Sequence, residues 1–117
     1  MKFIRDAEAA RWLSEFIPDP DNFDWDAGNR TKNMKHGVLG EEVESIFYSQ
    51  KFIFAGKIVD PLHDEWRGLI LGQSDAGRPL TLIFTRRADK LRPISCRPMR
   101  IGERRLYETS IQEHTWG

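Results

Sequence analysis

Between Arg86 and Arg105 the chain carries eight basic residues against two acids, Asp89 and Glu103. The whole protein has no formal net charge, so positive charge is segregated, a pattern that points to a binding surface. Arginine suits phosphate best, because its planar fork meets two oxygens at once and stays charged at any working pH. Arg67, Arg86 and Arg97 sit on consecutive candidate strands and are expected to converge. Arg100, Arg104 and Tyr107 follow as further anion contacts. Arg104 and Arg105 lie about 100° apart on a helix, so the two cannot face one ligand.

Proton transfer needs a different residue. Histidine alone titrates near neutrality without help, and His36 with its neighbour Lys35 is the best-placed candidate. Two readings of His36 stand at this point. It precedes Gly37, where a helix is expected to stop, so the ring either does acid-base work or bonds a terminal carbonyl. The basic stretch also has two readings, a ligand surface or charges satisfied by the protein's own acids. His63, between Asp60 and Asp64, reads as a loop histidine. His36, His63, Cys96 and His114 are far apart and lack the spacing of a zinc site. Neither a metal nor a cofactor is expected.

The elements that must position these groups follow from periodicity. Phe3 to Ile17 is expected as a helix with Leu13 and Phe16 on one face, closed by Pro18 and the turn-forming Pro-Asp-Pro-Asp-Asn. Residues 1–26 hold seven acids against three bases, so this arm either packs as a solvated amphipathic helix or shields the basic site. Phe23 and Trp25 alternate with acids as a short edge strand would. Asp26 is the expected N-cap of a helix from Ala27 to about Lys35, and residues 40–49 form the next helix, with Val43, Ile46 and Phe47 inward. Four strands follow, from Phe52 with a bulge at Ala55-Gly56, Trp66 to Gly72, Leu80 to Phe84, and Lys90 to Cys96. Pro93 lacks a backbone donor and calls for an edge or a bulge. A helix from about Met99 to Glu108, with Ile101, Leu106 and Tyr107 inward, is followed by a loose tail. The order predicts an α+β domain, a meander of about four antiparallel strands with helices on one face.

At 117 residues this is one core, expected as an N-terminal helical extension (1–22), a main domain (23–108) and a tail (109–117). No apolar run approaches the roughly 18 to 20 residues that cross a bilayer. One cysteine permits no internal disulfide and fits a reducing compartment. A cytoplasmic protein without membrane contact is expected.

Phe-Asp-Trp-Asp at 23–26, Lys-His-Gly-Val at 35–38, the hairpin GQSDAGRPLTLIFT, Ile-Ser-Cys-Arg at 94–97 and GERRLYE at 102–108 occur in the order of the BrnT toxins of type II toxin-antitoxin modules, which the chain resembles. The resemblance implies a RelE-like fold, a ribonuclease that halts translation, and a BrnA-like antitoxin carrying a DNA-binding domain. Three departures are visible: Cys96 stands where the family has alanine, Pro93 where it has an apolar residue, and Asp64-Glu65-Trp66 is shorter than the usual stretch. Residues 1–22 lie outside the resemblance.

Together these readings give a metal-independent endoribonuclease, with His36, Lys35, Arg67 and Arg97 as catalytic candidates and Arg86, Arg100, Arg104 and Tyr107 on RNA phosphates. The alternative is a non-catalytic interaction protein that keeps the fold and binds an antitoxin-like partner.

Overall fold

A computed structural model describes residues 1–49 and 51–116. Strand β1 (Lys2–Ile4) leads into helix α1 (Ala7–Glu15), followed by α2 (Ala27–Met34), α3 (Gly40–Tyr48), β2 (Phe52–Asp60), β3 (Gly68–Gln73), β4 (Pro79–Arg87), β5 (Lys90–Pro98) and α4 (Ile101–Trp116). The five strands form one antiparallel sheet in sequence order. The fold is therefore α+β, with five strands where the sequence pattern predicts four.

The added strand comes from residues 2–4, where a helix was expected. Lys2 to Ile4 pair with Asp60 to Lys57 of β2, and the helix begins only after Asp6, whose carboxylate accepts from the Ala9 backbone N–H at 3.0 Å. An N-cap of this kind fixes a helix start more firmly than periodicity does. The bulge falls at Ala55-Gly56 as expected. Gly56 has φ +143°, and a side chain there would run into the Ile4 carbonyl. Phe23 makes a single parallel bridge to Leu91 instead of a strand.

Helices cover both faces of the sheet, not one. On the first face Ile46 of α3 closes on Gly72, where an added Cβ would stand 2.7 Å from it. The core there joins Leu13, Phe23, Val43, Phe47, Ile70, Leu82 and Phe84, with Phe16, Phe47 and Phe52 in edge or tilted ring contacts. On the second face α4 lies over the start of β4 and the end of β5, where Glu103 meets Thr81 and Arg97. Burial from both sides explains why every residue from Gly68 to Gly72 is buried.

Helix α4 continues to Trp116 instead of fraying after Glu108. Gly117, the end of the expected tail, lies outside the described residues. Tyr107 is inward as expected, but Ile101 (72 %) and Leu106 (38 %) are exposed. No described helix is long and apolar enough to cross a membrane.

Candidate functional site

The β4–β5 turn sets the geometry of the basic stretch. Ala88 and Asp89 have φ +52° and +64°, the mark of a two-residue hairpin turn whose backbone twist matches the flanking strands. Arg87 therefore pairs with Lys90, Arg86 with Leu91 and Thr85 with Arg92. Phe84 then pairs with Pro93, the register shifts, and Ile83 pairs with Ser95. Pro93 thus occupies both an edge strand and a bulge, and the ladder tolerates its missing donor.

Side chains alternate across a sheet, so this register assigns each arginine to a face. Gly68 pairs with Phe84, which sets Arg67 opposite Thr85, and Thr85 sits opposite Arg92. The three make one row on the α4 side, from the residue just before β3 across β4 to β5. Arg97 pairs with Thr81 on that same face. Thr81 faces Leu71, four residues beyond Arg67 on the neighbouring strand and roughly 13 Å along it. Arg67 and Arg97 therefore share a face without sharing a ligand atom. Arg86, one residue on from Thr85, points to the opposite face, with its guanidinium over the Trp12 ring at 5.2 Å. The three strands are neighbours, as expected. The convergence of Arg67, Arg86 and Arg97 is not realised.

Row by row, the local chemistry differs. Thr85 is buried and its hydroxyl donates to the Trp66 carbonyl at 2.6 Å. Arg92 lies against Asp26 at 2.8 Å and Asp24 at 3.6 Å. Asp26 caps α2 as expected, accepting from the Asn29 N–H while Asn29 answers to the Asp26 N–H. The Asn29 N–H bond above all, then Arg92, holds the Asp26 carboxyl below its ordinary range. Arg67 has no carboxylate partner among the described residues, and its buried Nε, like that of Arg92, has no hydrogen-bond acceptor. A buried donor without a partner is costly, about 1–3 kcal/mol.

At the other end of the face Arg97 and Glu103 form a bidentate pair, 2.7 and 2.8 Å, with both side chains 15 % exposed. Glu103 also accepts from the Arg100 backbone N–H and the Thr81 hydroxyl. Burial would raise its carboxyl, but Arg97 and these donors outweigh it and hold it low. Arg97 is thus neutralised and anchors the start of α4, while the Arg100 side chain stays exposed and forms no ion pair among the described residues. Arg104 reaches only Glu108, at 3.6 Å in solvent. Tyr107 is 4 % exposed and its hydroxyl donates to the Lys51 carbonyl, so this ring is core and not a phosphate donor. Burial pushes its hydroxyl pKa up.

Lys35 and His36 are placed by α2, which runs along the free edge of β5. Asn29 Nδ2 donates to the Pro93 carbonyl at 2.9 Å, and Asn33 Oδ1 accepts from the Cys96 N–H at 2.8 Å. Helix and strand therefore run the same way, which carries His36 toward the Arg97–Arg100 end. Gly37, at φ +72°, ends the helix as expected. His36 and Lys35 are exposed, and the His36 ring bonds no terminal carbonyl, which leaves it available for proton transfer.

The candidates fall into two groups, toward opposite ends of β5. Lys35, His36, Arg97 and Arg100 stand at one end, and Arg67 with Thr85 and Arg92 at the other. Arg92, Asn29, Asn33 and Glu103 were not singled out in the sequence. The two-residue turn at Ala88-Asp89 was the signal that could have found Arg92, because it fixes the register. His63 lies in the exposed loop between β2 and β3, and the His114 side chain lies outside the described residues.

Residues 25–103 match the family described as the ribonuclease toxin BrnT of type II toxin-antitoxin systems. The chain belongs to the BrnT family. The match spans more than half the sequence and takes in both groups, while β1, α1 and the rest of α4 lie outside it. No curated protein matches the chain closely enough to add a relative. Membership in the BrnT family carries a ribonuclease toxin's role, an RNA target and an antitoxin partner.

Proposed function

We propose that this BrnT-family chain is a metal-independent endoribonuclease whose RNA strand lies along the α4 side of the sheet. The observation that carries this reading is Arg67, a part-buried arginine without a carboxylate and with one donor unpaired. Its row, shared with Arg92, holds a backbone phosphate. The scissile phosphate sits at the other end, toward which α2 carries the exposed His36 and Lys35.

Cleavage proceeds by attack of the 2′-OH on the adjacent phosphorus. The bond to the 5′-oxygen breaks, leaving a 2′,3′-cyclic phosphate and a free 5′-hydroxyl. His36 takes the 2′-OH proton, and the Lys35 ammonium supplies one to the leaving oxygen. Arg100 counters charge on the phosphorane, where a fixed cation acts only as charge develops. Arg97 is a positioning residue, since Glu103 already holds its charge. The partner is an antitoxin of the BrnA type, with its own DNA-binding domain, and the setting is the cytoplasm.

The test is cleavage of RNA by purified protein in EDTA. His36→Gln should lower kcat about 10² to 10⁴-fold with KM little changed, whereas Arg67→Ala should chiefly raise KM. Cleavage by H36Q at the wild-type rate would sink the assignment of the proton carrier, and loss of all cleavage in EDTA would sink metal independence.

One observation favours a second reading. Arg97 and Tyr107, two of the arrangement's expected ligands, are consumed by the protein's own contacts, as they would be in a non-catalytic member that keeps only partner binding. Induction of the chain alone separates the two, since growth arrest with new RNA ends belongs to the enzyme.

A further inference from the structure

We infer that the outer edge of β2 from Phe52 to Ala55 receives an extended segment of the partner antitoxin, added as a strand in line with β1. The inference rests on the family's antitoxin partner and not on RNA cleavage. β1 pairs only with residues from Lys57 to Asp60, and β2 is next to β3 on its other side. Among the described residues no strand therefore pairs with the outer edge of Phe52–Ala55. Alternate residues of such an edge turn N–H and C=O outward, which is a template for another backbone.

A groove of about 540 Å³ runs beside this edge, lined by Leu13, Phe52, Phe54 and Leu106 and by the small residues Ala10 and Ser110. It continues past Gly56 at one end and toward Phe16 at the other, where neighbouring hollows share its lining. The lining is mostly apolar, which suits alternate side chains of a strand and not a phosphate chain. The walls decide what kind of strand fits. α1 stands on one face and α4 on the other, so the opening admits one extended segment but not the edge of a second copy's sheet, which would bring its own helices. Four residues of edge correspond to roughly 13 Å of partner strand. Beside or among the lining residues, Lys2, Arg5, Arg11, Lys51 and Arg105 are exposed and form no ion pair among the described residues, against Asp6, Glu8 and Glu15. The excess of bases favours a segment that alternates apolar residues with acids. Backbone pairing would give affinity, and the groove would select side chains.

The probe is a capped synthetic peptide alternating valine with glutamate, added to the full chain while amide exchange is followed by NMR. Saturation should slow exchange of the outward amides in Phe52–Ala55 by about tenfold or more. The same peptide N-methylated at alternate residues should not bind. Ala10→Trp, and separately Ser110→Trp, should fill the groove and weaken peptide binding about tenfold or more, with far-UV circular dichroism and RNA cleavage unchanged. Equal binding of the N-methylated peptide, or no slowing at those amides, would overturn the inference. So would protection of the same amides by an RNA oligonucleotide or by concentration-dependent dimerisation. Loss of RNA cleavage by the wild type with peptide binding intact would refute the enzyme reading alone.

Discussion

Glu103 receives both terminal nitrogens of the Arg97 guanidinium, at 2.7 and 2.8 Å, and in doing so ties the first turn of α4 to the end of β5. The same carboxylate caps its own helix through the Arg100 N–H. One side chain thus joins strand, helix and sheet, which makes the basic stretch partly self-satisfied.

Removing that carboxylate leaves Arg97 with little water and, among the described residues, only a 3.3 Å bond to the Pro98 carbonyl. Glu103→Ala should lower stability by about 3 kcal/mol, and Glu103→Gln by about half of that, in urea denaturation. The pH dependence has a fixed sign. The folded-state pKa of Glu103 lies below its ordinary value of 4.5, so its contribution is complete above that value and is lost as pH falls through the folded pKa. E103Q should therefore show a shallower loss of stability on acidification than the wild type. An unchanged acid slope would contradict this account of the ion pair.

Arg86 faces the first side of the sheet, over Trp12. Arg86→Ala should cost about 0.5–1 kcal/mol of stability through the lost cation–π contact and leave RNA affinity and its salt slope unaltered. Arg67→Ala should do the reverse, flattening the salt slope by about one phosphate without loss of stability, because the unpaired Nε goes with it. Equal effects of both substitutions on RNA binding would place Arg86 back among the RNA contacts.

Cys96 is fully buried and its thiol is pushed up to about 12 by burial. It should resist thiol reagents at pH 8 in the native state and react on unfolding. A raised pKa stabilises the fold below the ordinary value of 9.0, and this contribution fades as pH climbs through about 12. Asn33→Ala deprives the Cys96 N–H of its acceptor and should cost about 1–3 kcal/mol. Its measurable companion is faster Cys96 labelling under native conditions, and labelling at the wild-type rate would mean that α2 holds β5 by other contacts.

The sequence by itself determined much of the local structure. Asp26 and Gly37 bound α2 because a capping side chain and a left-handed stop are chemistry of the immediate backbone. Pro93 and Ala55-Gly56 marked irregular positions for the same reason. The ordered motifs from Phe23 to Glu108 named the family. Residues 2–4 were misread because a three-residue strand has no period of its own and exists only through pairing with β2. Tertiary structure decided which charges share a face. Alternation makes every second side chain swap sides, so one residue of register separates Arg86 from Arg67, and the pairing of β3 with β4 fixes that register. It also decided which charges are spent, since Glu103 and Asp26 reach Arg97 and Arg92 through folding, leaving Arg67, Arg100 and His36 open to a ligand.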